Sequence, residues 1–184
     1  MEVINQETLR PPINFIKEGI KIGLINGAIA LLLMYGSYFA GLDTFVTVQF
    51  FSRFVPYMMI ILIIYGFRLR IANGGFLSFK EGLQYSFMSY VLVGLVVAIG
   101  TYILFNLVDK NLTQKSFELS LEKMKQTFAS MGMKEEEIDK AIGNKEVQKT
   151  DLKTIFLGTG FGLIWDFIVS VIVSFIIRRE KPAI

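Results

Sequence analysis

Long apolar segments alternate with shorter polar ones along the chain, and one polar stretch is much longer than the rest. An α-helix needs about 20 mostly apolar residues to cross the hydrocarbon of a bilayer. Four segments reach that length: 20–40, 48–67, 85–108 and 154–177. The pattern therefore predicts an all-α, polytopic membrane protein with four transmembrane helices. The second segment is the weakest, because Arg53 and Pro56 lie inside it.

The longest polar stretch lies between the third and fourth apolar segments and holds 18 of the 35 charged residues. From Thr113, apolar residues recur at intervals of four and three, which predicts an apolar stripe on a helix with Thr113 as N-cap and Gly132 as stop. A shorter helix is predicted over 134–142, so that 109–153 forms a helical-hairpin insert. The stripe consists of Phe117, Leu121, Met124, Phe128 and Met131.

Three environments are open to this stripe. We expect it to pack on the second helix of the insert or on the ends of the membrane helices. It is also a candidate partner-binding surface, because methionine side chains adapt to different partners. The third alternative is a helix that lies flat on the membrane surface.

The distribution of basic residues predicts the orientation, since lysine and arginine are enriched in short cytoplasmic loops. They cluster before the first apolar segment, in the 68–84 connection and after the last segment, whereas 41–47 has none. Both termini are therefore predicted to be cytoplasmic and 109–153 to lie on the opposite side. The nine lysines of the insert argue against this orientation, although nine acids balance them.

The composition removes several kinds of chemistry. Cysteine and histidine are both absent, which excludes thiolate catalysis, imidazole proton shuttling and the usual zinc ligands. We expect no cofactor, no metal and no enzymatic activity. The net charge of +3 comes from residues at membrane boundaries, so no nucleic-acid partner is expected. The expected partners are membrane lipid and either another membrane protein or a second copy.

Three polar side chains within the apolar segments are candidate site residues: Asp166, Arg53 and Asn26. A charge inside the bilayer costs about 2.5–3.5 kcal/mol on insertion scales and is a functional candidate by default. Asp166 has three interpretations: a structural hydrogen bond, a contact with a partner subunit's helix, or an ion or proton site. Arg53 is its candidate partner, or extends instead to the lipid head groups.

Glycines with a spacing of four residues mark faces where helices can approach closely in lipid. Gly19, Gly23 and Gly27 form one such face in the first segment, and Gly158 and Gly162 form another in the fourth. The spacing is compatible with contacts within one chain and with contacts between chains.

The connection after the second apolar segment reads NGGFLSFKEG from Asn73, with a turn at 73–75 and a capping box from Ser78 to Glu81. This stretch, MGMKEEEI over 131–138 and the glycine-rich start of the last segment resemble domain-of-unknown-function family 4199, small four-helix membrane proteins of Bacteroidota. The resemblance implies a bacterial inner membrane, and hence a periplasmic 109–153. It implies no activity, cofactor or catalytic residue.

These observations favour a non-enzymatic membrane component that binds partners or assembles into a complex. The alternative is a small transporter or an ion- or lipid-handling protein centred on Asp166. The family resemblance adds one variant of that alternative, an accessory role in polyprenyl-linked sugar metabolism. An enzyme is the weakest hypothesis, because no nucleophile accompanies the acids of the insert.

Overall fold

A computed structural model describes residues 13–52, 56–143 and 150–181. Within these ranges the protein is all-α, as predicted, and the pairing of Leu77 with Arg179 is the one β-bridge. The helices are α1 Phe15–Phe39, α2 Leu42–Phe51, α3 Tyr57–Ala72, α4 Phe79–Tyr102, which continues as the π-helical segment Ile103–Val108, α5 Leu112–Ser130, α6 Glu135–Ile142 and α7 Leu152–Ile177.

Three helices are long and apolar enough to cross a membrane: Phe15–Phe39, Phe79–Val108 and Leu152–Ile177. They coincide with the first, third and fourth predicted segments and indicate a multi-pass membrane protein. Large apolar side chains point outward from them, and on α7 Phe161 is 73% exposed and Trp165 68% exposed. Such exposure carries no cost in a lipid environment, because lipid tails are as apolar as the side chains.

The second predicted segment, 48–67, is not one helix in the described residues. Its described parts belong to two helices, since α2 ends at Phe51 and α3 begins at Tyr57. Pro56 stands directly before α3; inside a helix a proline removes a backbone hydrogen bond and clashes with the preceding turn, so it disfavours one continuous helix through this position. With 16 residues, α3 is about 24 Å long, against a hydrocarbon thickness of about 30 Å.

The chain divides into two compact units. The first unit contains the described residues within 1–30, 56–97 and 159–184, from α1, α3, α4 and α7. Its core is built from fully buried side chains of three different helices, among them Leu62, Tyr85 and Val173. The Tyr85 hydroxyl donates to the Leu62 carbonyl oxygen at 3.1 Å, so the one polar atom of this large side chain is satisfied inside the core.

The second unit contains the described residues within 31–55 and 98–158. Here α2 packs against α5, and α5 packs against α6. Lys123 on α5 forms an ion pair with Asp43 at 2.7 Å and donates to the Thr47 hydroxyl at 2.6 Å, both on α2. The buried core of this unit consists of Met34, Phe45, Val46, Leu104 and Leu112.

The end of α5 follows its sequence signal, whereas its start does not. Gly132 has a φ of 83°, and its N–H donates to the Ala129 carbonyl oxygen while Met133 N–H donates to Phe128. This pair of bonds is the Schellman motif, which favours glycine at the left-handed position. The prediction of Thr113 as N-cap is wrong: Asn111 is the N-cap, and the Thr113 hydroxyl lies 2.9 Å from that of Thr150.

Candidate functional site

The glycine face of α1 packs directly against α4 in the first unit. A Cβ atom added at Gly23 would lie 2.8 Å from the Ser89 carbonyl oxygen, and one at Gly27 would lie 3.0 Å from a Val96 methyl group. Gly19 approaches the Tyr85 carbonyl oxygen in the same way. Residue numbers rise together on both helices, so α1 and α4 run parallel at this contact.

The glycines of α7 have a different environment. A Cβ at Gly158 or Gly162 would meet no atom of a described residue within 4 Å, and both residues are exposed. The two glycine faces therefore have the same spacing but different neighbours. The face on α1 packs against another helix of this chain, whereas the face on α7 has no such neighbour among the described residues.

Serine side chains link α4 to α7 in the interior of the first unit. Ser86 Oγ lies 2.8 Å from the Gly82 carbonyl oxygen and 3.2 Å from that of Ser170, while Ser174 Oγ donates to Ser170 at 2.6 Å. All three serines are fully buried. None of the three was predicted as a site residue; the only sequence signal for them is the spacing of four residues between Ser170 and Ser174 in α7.

Asp166 lies on the same face of α7 as these serines. It precedes Ser170 by one helical turn, and its own carbonyl oxygen accepts from Ser170 Oγ at 2.7 Å. Its carboxylate forms no hydrogen bond or ion pair with any described residue, and the residue is half-buried. The neighbouring Trp165 is exposed, so the two adjacent residues face different environments.

Asn26 and Ser89 are fully buried polar residues that lack partners. Neither the nitrogen nor the oxygen of the Asn26 amide, nor the Ser89 hydroxyl, has a hydrogen-bond partner among the described residues. Leaving a buried polar group unpaired costs about 1–3 kcal/mol. Such groups are candidates for contact with a molecule from outside the chain.

Helix packing places Asn26, Ser89 and Asp166 at a similar height along the helix axes of the first unit. Gly23 contacts Ser89, and Asn26 follows three residues later on α1, about 4.5 Å along the axis. On the antiparallel pair of α4 and α7, the Phe87 and Phe167 rings lie 5.5 Å apart, which places Asp166 near the level of Ser89. We call Asn26, Ser89 and Asp166 the polar layer.

The polar layer offers hydrogen-bond donors, acceptors and one carboxylate. Nothing in it is a strong nucleophile, since serine needs an adjacent base. Within 13–52, 56–143 and 150–181, no three His, Cys, Asp or Glu side chains lie together as metal ligands. The chemistry of the layer is therefore hydrogen bonding and, at the carboxylate, attraction of positive charge. Arg53, the candidate partner of Asp166, lies outside the described residues.

The five residues of the apolar stripe on α5 differ in their exposure to solvent. Phe117, Leu121, Met124 and Phe128 are half-buried. Met131 lies beyond the last residue of α5 and is 71% exposed. On the facing helix α6, Ile138 and Ile142 are buried, and Lys125 of α5 pairs with Asp139 of α6 at 3.7 Å.

One comparison with known proteins gives a match. A family model described as "Protein of unknown function (DUF4199)" matches residues 21–179. Neither a curated protein nor a solved structure matches the chain. The matched range includes the polar layer, both glycine faces except Gly19, and all of α2 to α6.

Proposed function

The chain belongs to the DUF4199 family of proteins of unknown function, and from that premise and the open face of α7 we propose that it is a non-enzymatic membrane component that binds a second polypeptide. The partner surface is the glycine face formed by Gly158 and Gly162, and the partner supplies a transmembrane helix. The observation that carries this proposal is that no atom of a described residue lies within 4 Å of the Cβ position of either glycine. Small residues allow close backbone approach, which is the main source of helix association in lipid.

The contrast with α1 supports this assignment. Each glycine on the α1 face has an atom of α4 within 3.0 Å of its Cβ position. A face of the same spacing on α7 has no such neighbour. A glycine costs about 1 kcal/mol relative to alanine in a helix, and a close contact with a partner helix offsets that cost.

Cysteine cross-linking tests this proposal directly, because the chain contains no cysteine. Gly162→Cys on the open face and Ile164→Cys, which is 63% exposed on the opposite side of α7, give two matched single-cysteine proteins. We expect the Gly162→Cys variant in native membranes to be trapped with its partner by a short bifunctional reagent, and the Ile164→Cys variant not to be. A lone monomer from both variants, together with a lone monomer in mild detergent, would overturn the proposal.

The membrane topology is part of the same proposal. We place both termini in the cytoplasm of a bacterial cell, α3 as a fourth, shorter crossing of the inner membrane, and α5 and α6 in the periplasm. The basic residues near the ends of α3 and α7 support this orientation. A reporter fused at Gly132 tests it: activity of a periplasm-specific reporter is expected, and activity only of a cytoplasm-specific reporter contradicts the orientation.

A second candidate function is a small transporter or an ion- or lipid-handling protein centred on Asp166. The observation that favours it is the polar layer, whose Asn26 amide and Ser89 hydroxyl are buried without partners near the level of Asp166. An accessory role in polyprenyl-linked sugar metabolism belongs to this candidate. Transport through a bundle uses polar and ionisable groups in its interior, and the polar layer supplies a small set of them.

Asp166→Asn separates this second candidate from a structural role. Transport predicts loss of ion or proton flux in proteoliposomes, with unchanged expression and thermal stability. Asp43→Asn removes an exposed acid from the second unit and is the control, with normal flux expected. If Asp166→Asn instead lowers expression or thermal stability, Asp166 has a structural role.

A further inference from the structure

Five basic residues from three distant parts of the chain form a basic rim on the first unit. Arg68 and Arg70 lie near the end of α3, Lys80 lies in the first turn of α4, and Arg178 and Arg179 follow α7. We use the name basic rim for these five residues.

Backbone contacts hold the segments of the basic rim together. Leu77 and Arg179 exchange two hydrogen bonds of 2.9 and 2.8 Å in an antiparallel bridge. Arg70 Nη1 donates to the Ile177 carbonyl oxygen at 3.3 Å, at the end of α7. The ends of α3 and α7 and the start of α4 therefore lie at one end of the first unit, where the five basic residues are gathered.

The nearby carboxylates offset only part of this charge, because two acids stand against five cations. Glu81 accepts from the backbone N–H of Ser78 at 2.7 Å and from its hydroxyl at 2.8 Å. Glu180 accepts from the backbone N–H of Phe79 at 3.2 Å. Both acids are thus engaged by neutral donors, and no basic residue of the rim forms an ion pair with a described residue.

Three of the arginines are positioned by aromatic rings. The guanidinium carbon lies 4.8 Å from the ring centroid for Arg70 over Phe67 and for Arg178 over Phe175, and 5.9 Å for Arg179 over Phe76. A guanidinium that stacks on a ring keeps the N–H groups on its edge available. Those edges suit the oxygens of a phosphate, which arginine recognises with two parallel hydrogen bonds.

Apolar surface adjoins the basic rim. Phe175 and Ile176 precede the arginines of α7 and are exposed, and on α3 Ile64, one turn before Arg68, is 55% exposed. A ligand at the rim therefore meets cations at one end and hydrocarbon-compatible side chains at the other. That combination matches a phospholipid rather than a free anion, because a free anion gains nothing from the apolar part.

We propose that the basic rim binds the head group of an anionic phospholipid, with the phosphate at the arginines and an acyl chain along the exposed residues of α3 and α7. Clusters of lysine and arginine beside transmembrane helices attract anionic lipids, and each residue strengthens binding about fivefold. This site is separate from the open glycine face and from the polar layer, so it stands or fails independently of the proposed function.

The test compares lipid binding to the full chain in detergent by native mass spectrometry. The lipids are phosphatidylglycerol and phosphatidylcholine with identical acyl chains, so that only the head-group charge differs. We expect the wild-type protein to prefer phosphatidylglycerol and R178Q/R179Q to lose about 25-fold in that preference. The backbone bridge at Arg179 does not involve the side chain, so the substitution leaves it in place.

Two matched variants make the result specific. K110Q/K153Q removes the same charge from exposed positions outside the first unit, and it is expected to keep the preference. R178K/R179K retains the charge and is expected to keep most of the preference for phosphatidylglycerol. Retention of the full preference by R178Q/R179Q, or equal loss in K110Q/K153Q, overturns the proposal.

Two further measurements apply even if R178Q/R179Q does not fold. Raising the salt concentration is expected to weaken the preference of the wild-type protein for phosphatidylglycerol, because screening weakens an exposed charge contact. Inorganic phosphate at millimolar concentration is expected not to displace the lipid. A preference insensitive to salt, or displacement by phosphate alone, contradicts a lipid head-group site.

Discussion

Gly23 on α1 lies so close to Ser89 on α4 that a Cβ at Gly23 would stand 2.8 Å from the Ser89 carbonyl oxygen. A backbone oxygen cannot move aside as the end of a flexible side chain can. The α1–α4 contact therefore requires glycine at this position, and close approach of the two backbones is what the absent side chain provides.

Gly23→Ala is expected to destabilise the protein by about 1–3 kcal/mol, the usual cost of forcing extra volume into a packed interior. Gly36→Ala is the matched control on the same helix, because no atom in the described part of the chain lies within 4 Å of its Cβ position. That control is expected to be neutral or slightly stabilising, since alanine favours the helix. Thermal unfolding in detergent measures both, and equal midpoints for the two variants contradict the close contact.

The glycine faces illustrate which features of this fold a sequence can predict. The spacing of Gly19, Gly23 and Gly27 identified the helix face that packs. The same spacing in α7 predicted a face that has no packing neighbour among the described residues. Periodicity reports which residues share a face, whereas the identity of the neighbour depends on tertiary contacts between distant segments.

The polar layer was predictable only in part. Asp166 and Asn26 stand out in the sequence because ionisable and amide groups are costly in apolar segments. Ser89 does not, since a serine in a membrane helix can bond to the carbonyl oxygen one turn earlier, as Ser86 and Ser174 do. The separation of α2 from α3 was not predicted either. The apolar length of 48–67 favoured a single helix, although Pro56 within it indicated a helix boundary.

Ser78 and Glu81 form the capping box that the sequence predicts at the start of α4. The Ser78 hydroxyl accepts from the Glu81 N–H at 3.3 Å, and the Glu81 carboxylate accepts from the Ser78 N–H at 2.7 Å. Ser78→Ala is expected to cost about 1 kcal/mol. Ser78→Asn keeps a capping acceptor and is expected to retain most of the stability. Thermal unfolding measures both variants. If Ser78→Asn loses as much stability as Ser78→Ala, the capping role is contradicted.

Gly132 terminates α5 with a left-handed backbone, φ 83°. Gly132→Ala is expected to cost about 1–2 kcal/mol, because Cβ crowds the carbonyl oxygen in that conformation, and Gly132→Asn to cost less. Hydrogen exchange of the amides in 125–140, measured by mass spectrometry, reports the local effect. Exchange is expected to be faster in Gly132→Ala than in Gly132→Asn, and the reverse order contradicts the role of the left-handed turn.

Asp43 and Lys123 join α2 to α5 through a contact of 2.7 Å, yet the Asp43 side chain is 75% exposed. Water screens such a pair, so a double-mutant cycle with Asp43→Asn and Lys123→Gln is expected to give a coupling energy of about 0.2–1 kcal/mol. The coupling should fall as salt is added. The control cycle pairs Asp43→Asn with Lys125→Gln, whose lysine contacts Asp139 instead, and its coupling should be near zero. A coupling well above 1 kcal/mol in the first cycle would indicate that the pair is shielded from water, for instance by a bound partner or by the membrane interface.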